Sequence, residues 1–187
     1  MKWGDVDWQA GTVTIERQVL PVKVRKGEDG KRTREHAFGP TKTGASRTLA
    51  LSEETLKLLK ALHQKQSEIK MAHRTTYIDL GLVFAREPAA QAGHPDFYRN
   101  LGEPITTSNL GTLFLDPLIK IAKVKRITVH GLRHTAATLM LLAGVPVHVV
   151  AARLGHADTH TTLSVYAHVL RDSHKEAADV LGKVLHG

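Results

Sequence analysis

The chain of 187 residues contains no cysteine, which excludes a disulfide framework, a thiolate metal cluster and a cysteine nucleophile, and suits a reducing compartment. Long hydrophobic runs are also missing. The longest apolar stretch, Leu139 to Val150, is broken by Gly144, Pro146 and His148, and the opening Met1-Lys2-Trp3-Gly4-Asp5 has no apolar signal core. Membrane spanning and secretion drop out, and a cytoplasmic location is expected. There is no internal repeat and no low-complexity tract. Acidic residues are absent from one long segment: between Pro117 and Ala157 there is no Asp or Glu, while Lys120, Lys123, Lys125, Arg126, Arg133 and Arg153 all fall there.

What is present fits one domain with a sizeable core, since 42% of the residues are hydrophobic. The formal charge of +8, before any of the 12 histidines is protonated, favours a polyanionic partner, nucleic acid first. A second basic segment runs from Lys23 to Arg47, with eight Lys or Arg against Glu28, Asp29 and Glu35. The two basic segments are candidates for the walls of one groove. Lys120, Lys123, Lys125, Arg126 and Arg153 are the candidate DNA-contacting cations.

The patterning predicts an α+β, mostly helical fold, with a small antiparallel β-meander followed by a helical bundle. Thr12 to Arg17 alternates, Val19 to Val24 is β-branched, residues 26–31 form a turn-rich break, and a further strand lies at 46–51. Ser52 offers an N-cap to a helix over 53–71, in which Leu56, Leu59, Leu62 and Ile69 recur at helical spacing. Leu82 to Ala85 reads as a short buried strand, and 86–104 as a surface loop. Ser108 caps a helix to about Ala122 that Pro117 bends or breaks. Thr128 or His130 opens the next helix, with Leu132, Ala136, Leu139 and Ala143 as its stripe and Gly144 as a left-handed stop. A short helix then runs from Pro146 to Gly155, and helical patterns occupy 159–168 and 170–185. Trp3, Trp8, Phe84 and Phe114 are assigned to the core.

His130-Gly131-Leu132-Arg133 puts an imidazole and a guanidinium on one helical face near a positive helix N-terminus, a geometry that suits a phosphate. Leu154-Gly155-His156 follows, with His156 lying 23 residues after Arg133, and Tyr166 lies ten further on. An H-x-x-R alone occurs by chance in roughly one chain in five, but the full set at fixed spacing in on the order of one in ten thousand. His130 and His134 also have the spacing of a metal pair, yet no Glu follows His130 and no third ligand stands at a recognised spacing. His134 is read as structural, and His160, His168, His174 and His186 as exposed.

Residues 128–169, Thr-Val-His-Gly-Leu-Arg-His-Thr through Leu-Gly-His-Ala to Ser-Val-Tyr-Ala-His-Val, resemble the catalytic domain of the tyrosine recombinase (phage integrase) family. Thr41-Lys42-Thr43-Gly44 resembles the family's hairpin lysine segment, and Trp3-Gly4-Asp5-Val6-Asp7 the stretch that follows its first arginine. The resemblance implies Lys42, His130, Arg133, His156 and Tyr166 as catalytic residues. Tyr166 is then the nucleophile of a 3′-phosphotyrosine intermediate in site-specific DNA cleavage and rejoining, with neither metal nor cofactor.

In that chemistry Arg133 holds the phosphate through paired donors, and Lys42 supplies the leaving-group proton. His130 manages the tyrosine proton and His156 holds a phosphoryl oxygen. The implied partners are a double-stranded DNA attachment site and other protomers. The apolar stripe of Val169, Leu170, Ala177, Val180, Leu181 and Leu185 is expected to pack the tail 170–187 in trans on a neighbouring protomer when DNA is bound, and otherwise to fold back or fray. The resemblance further implies that residues 1–187 are a catalytic-domain fragment. They begin after the family's first arginine, which neither Arg17 nor Arg25 replaces, and lack the N-terminal DNA-clamping domain, so the fragment alone is expected to be feeble. A non-catalytic DNA-binding module and a type IB topoisomerase-like enzyme are the alternative readings.

Overall fold

The computed structural model describes residues 1–21, 23–26, 32–88, 100–105, 110–155 and 182–185. They fall in two compact units, Met1–Thr107 and Ser108–Gly187.

The first unit opens with a 3-10 turn, Trp3–Asp5, followed by seven short strands: β1 Val6–Asp7, β2 Thr12–Ile15, β3 Arg17–Val19, β4 Lys23–Lys26, β5 Arg32–Glu35, β6 Phe38–Pro40 and β7 Arg47–Ala50. The antiparallel β region expected over 12–51 is present, with its strands nested. β2 pairs β7, β3 pairs β6 and β4 pairs β5, so the chain runs out along one long hairpin and returns along the other side. Two irregularities interrupt the ladder. Between the pairs Ile15↔Arg47 and Arg17↔Pro40, residues 41–46 oppose Glu16 alone. A second interruption separates the pair Val19↔Phe38 from the pair Lys23↔Glu35.

Alternation on β2 buries Val13, which meets its register partner Leu49 on the core side. The helix α1, Glu53–Ala72, begins as expected, because the Ser52 hydroxyl accepts from the Thr55 backbone N–H at 3.3 Å. Val6, Val13, Leu59 and Val83 form the core, joined by Met1, Trp3, Leu49, Leu51 and Leu62. Burying such side chains contributes about 1.5–3 kcal/mol each.

Gln66 is the least expected member of this interior. Only 1% exposed, it accepts from Trp3 Nε1 at 2.8 Å and donates to the Val83 carbonyl at 2.7 Å, so every polar group in the chain of contacts is matched.

Two expectations in this unit are corrected. Residues 82–85 do not form a strand. They make single antiparallel bridges, Lys2↔Leu82 and Ala85↔Pro104, burying Leu82, Val83 and Ala85 and leaving Phe84 exposed. The end of the supposed surface loop is interior: Leu101 is fully buried and Glu103 nearly so. Backbone bonds hold it there, from Ile78 N–H to Leu101 O and from Gly102 N–H to Arg86 O. A polar, Gly- and Pro-bearing sequence hides such burial, because the contacts that create it are remote in the chain.

The second unit holds a π-helical turn, Leu110–Leu115, then α2 Asp116–Ala122, α3 Val129–Leu142 and α4 Val147–Leu154. Pro117 sits in the first turn of α2 and marks the change from π to α. Lacking an N–H, it fits the start of a helix better than its interior. Lys123 ends α2 in the left-handed region at φ +53.

Thr128 caps α3, and Gly144 at φ +78 closes it. Gly144 N–H bonds to Leu141 O and Val145 N–H to Met140 O, the paired bonds of a Schellman end. α4 starts after Pro146 and stops at Gly155.

The buried stripe of α3 differs from the expected one. Ala137 and Leu141 pack with Val150 of α4, whereas Leu132 and Leu139 are exposed. The helix is apolar on several sides, so the short link 143–146 that returns α4 against it selects the buried face. Residues 182–185 are helical. The remainder of the two helices expected over 159–168 and 170–185 lies outside the described residues, as does Ser108. No helix among the described residues is long and apolar enough to cross a membrane.

Candidate functional site

Lys42 stands in the loop that interrupts the ladder between β6 and β7. Gly44, at φ +71, lets the loop close tightly, with its N–H bonded to Thr41 O at 2.9 Å and Thr41 Oγ1 bonded to Ala45 O at 2.7 Å. The exposed Lys42 side chain thus projects from a pinned turn. Arg17 and Arg25, set aside by the sequence, are engaged elsewhere: Arg17 pairs with Asp5 at 3.2 Å and with Glu16, and Arg25 with Glu35 at 3.0 Å.

In the second unit, Thr128 Oγ1 accepts from the Gly131 N–H at 2.9 Å, which fixes the first turn of α3. Gly131 is held close to Ile127, where an added Cβ would meet Cγ1 at 2.7 Å. On that turn His130 is exposed, and its ring meets His134 edge to face, with centroids 4.4 Å apart. Arg133, one turn along from His130, is half-buried and donates from Nη2 to the Leu154 carbonyl at 2.5 Å. The structure therefore joins the start of α3 to the end of α4, and the chain leaves this junction at Gly155, immediately before His156. His156 and Tyr166 lie outside the described residues.

The candidate DNA-contacting cations are arranged on α2, its connector and α4. Lys120, Lys123, Lys125, Arg126 and Arg153 are all exposed. Asp116, just outside the acid-free segment, lies 3.5 Å from Arg126. Among the described residues no group of three His, Asp or Glu is arranged to hold a metal ion. Of the four aromatics assigned to the core, Trp3 packs there, but Trp8, Phe84 and Phe114 are exposed. Trp8 stacks on Trp3 at 6.1 Å.

Sequence reasoning missed the carbonyl that Arg133 grips, although Gly155 after a helical pattern signals where α4 must end. It also missed His36, whose Nε2 lies 3.2 Å from Glu103 Oε1 with both side chains almost wholly buried.

The fold, an antiparallel β region followed by helices, has counterparts among solved structures. The structure matches the Tn1549 transposon integrase in complex with transposon right end DNA at a TM-score of 0.63 and 21% identity, covering 97% of this chain and 52% of that one. It matches the XerA recombinase crystal structure at a TM-score of 0.60 and 22% identity, covering 95% and 50%.

The phage integrase family model matches residues 1–172, and the chain belongs to that family. It is similar to a tyrosine recombinase XerC-like protein of Caldanaerobacter subterraneus, 27% identical over 186 residues, covering 97% of this chain and 44% of the relative. It is also similar to the integrase of Staphylococcus phage L54a, 25% identical over 183 residues, covering 97% and 46%. The chain thus spans a little under half the length of these curated relatives.

Proposed function

We propose that residues 1–187 form the catalytic-domain part of a cytoplasmic site-specific DNA recombinase that cleaves and rejoins DNA through Tyr166. The observation that carries this reading is the α3 N-terminus, where His130 and Arg133 share one face within an acid-free, cation-bearing segment. Family membership and the DNA-bound transposon integrase of like fold support it.

In the proposed reaction the Tyr166 oxygen attacks phosphorus, giving its proton to His130, and the bond from phosphorus to the 5′ oxygen breaks. Lys42 protonates that oxygen, leaving a 3′-phosphotyrosine and a 5′-hydroxyl. Tyrosine, with an ordinary pKa of about 10, needs this cationic surrounding to act as an oxyanion. Arg133 and His156 hold the non-bridging oxygens as their charge grows. Rejoining is the same path reversed, with a new 5′-hydroxyl as the attacking group. The tail 170–187 joins protomers in trans, so its removal is expected to abolish pairing of two sites in a gel-shift assay while single-site binding persists.

The protein expressed from its complete open reading frame, given nicked duplexes from the borders of the element carrying its gene and no divalent metal, is expected to accumulate a covalent adduct. Tyr166→Phe should abolish that adduct with DNA affinity nearly unchanged, and Arg133→Ala should slow it by about 10²–10³. An adduct that survives Tyr166→Phe overturns the assignment. Binding without any adduct favours a non-cleaving DNA-binding module.

A further inference from the structure

We infer that Gly155 is a positioning residue for Arg133, acting through the Leu154 carbonyl. The inference rests on the proposed recombinase reading for its catalytic consequence, and on this structure for its geometry.

Leu154 is the last residue of α4, so its carbonyl is one of the four that an α-helix leaves without an internal partner. Arg133 Nη2 takes it at 2.5 Å, in a half-buried place at the negative end of the helix dipole. Gly155 makes this possible in two ways. Its N–H turns back to Ala151 O and Ala152 O, closing the helix so that the Leu154 carbonyl points outward. Its backbone, at φ +71 and ψ 35, lies in the left-handed region, where a Cβ strains the chain.

The angle of the peptide plane between residues 154 and 155 therefore depends on a residue free to adopt that conformation. A guanidinium has five donors in a rigid fork. With one N–H given to the carbonyl, rotation about the long side chain is restrained, and the remaining donors are left for a phosphate in a fixed plane. A lysine at 133 could not hold both partners in this way. Since His156 follows Gly155 directly, one turn governs both the aim of Arg133 and the point from which the chain carrying His156 departs.

The test uses the full protein and three variants: Gly155→Ala, Gly155→Asn and Arg133→Lys. Asn tolerates the left-handed region far better than Ala. Guanidinium ¹⁵N NMR reads the contact without any DNA. Arg133 is expected to show slowed rotation in the parent and in Gly155→Asn, and averaged signals in Gly155→Ala.

With the nicked duplex at saturation, Gly155→Ala should form adduct about 10–100-fold more slowly, at a half-saturating DNA concentration within about twofold of the parent. Gly155→Asn should recover most of that rate, and Arg133→Lys should not. Unchanged Arg133 signals in Gly155→Ala overturn the inference, as does an equal rate loss in the Ala and Asn variants. If the Arg133 signals respond but the parent forms no adduct, the positioning contact stands and the recombinase reading fails.

Discussion

In Met1–Thr107 many cations have a carboxylate beside them: Arg17 has Asp5, Arg25 has Glu35, Lys65 has Glu87 and Lys70 has Asp79. In Ser108–Gly187 the described cations stand differently. Arg126 reaches Asp116, but Lys120, Lys123 and Lys125 are exposed with no carboxylate paired to them among the described residues. Paired charges cancel at a distance of a few ångströms, whereas unpaired like charges add into a field that extends about a Debye length into solution. The difference teaches that net charge is a poor guide to where a polyanion is gripped. Segment 117–157, with six Lys or Arg and no acid, carries most of the net charge of +8.

The sharpest way to break this comparison is charge reversal. Changing Lys120, Lys123 and Lys125 together to Glu should lower DNA affinity on the order of a thousandfold at low salt and reduce the slope of log K against log salt by about three. Changing the paired Lys65 and Lys70 to Glu should alter the slope much less. Fluorescence anisotropy over a sodium chloride series measures both, and equal slopes would remove the acid-free segment from the interface.

A second contrast is steric. Gly102 at φ +84 is wedged so that a Cβ would lie 2.1 Å from Ile78 O, whereas Gly144 at φ +78 has nothing within 4 Å of its missing Cβ. Gly102→Ala should therefore cost about 3 kcal/mol, combining left-handed strain with overpacking, and Gly144→Ala about 1 kcal/mol from strain alone. Urea melts of the two variants give the difference. Equal losses would mean that the 100–103 segment gives way more easily than its burial indicates.

The smallest expected effect is at Asp79. The Gly81 backbone N–H, and after it Lys70, hold its carboxyl below the ordinary range, with partial burial opposing them. A depressed folded-state pKa means that the contribution to stability is present above the unfolded value near 4 and is lost as pH falls through the folded value. Asp79→Asn should flatten the acid limb of a stability profile below about pH 4 and leave neutral pH little changed. A profile that still falls as steeply in the variant would assign that limb to other carboxylates.

Much of the local architecture was legible. Ser52 with its acidic first turn located the start of α1, Pro146 and Gly155 bracketed α4, and Gly144 marked the end of α3. These signals are readable because each is satisfied within a few residues, by a side chain on a backbone N–H or by a glycine at positive φ. Lys42 was legible as a residue before a strand, but the six residues facing Glu16 alone were not. That mismatch belongs to two strands read together. The stripe of α3 was misread for a like reason: Leu139 and Leu141 are equally apolar, and only the return of α4 distinguishes them.

Sequence by itself determined the chemical inventory of this protein. A lysine in a Thr-Lys-Thr-Gly segment, a His-x-x-Arg at a helix start, a Gly-His and a tyrosine at fixed intervals, and a segment without acids are all matters of residue identity and spacing. Tertiary structure alone decided which groups hold which. It set Gln66 between Trp3 and Val83, brought His36 against Glu103, buried Leu101, and gave Arg133 the carbonyl of Leu154. The physical reason is range. Caps and turns close over three or four residues, whereas these contacts span from 17 to 67 residues and form only when whole elements pack and desolvate the groups between them.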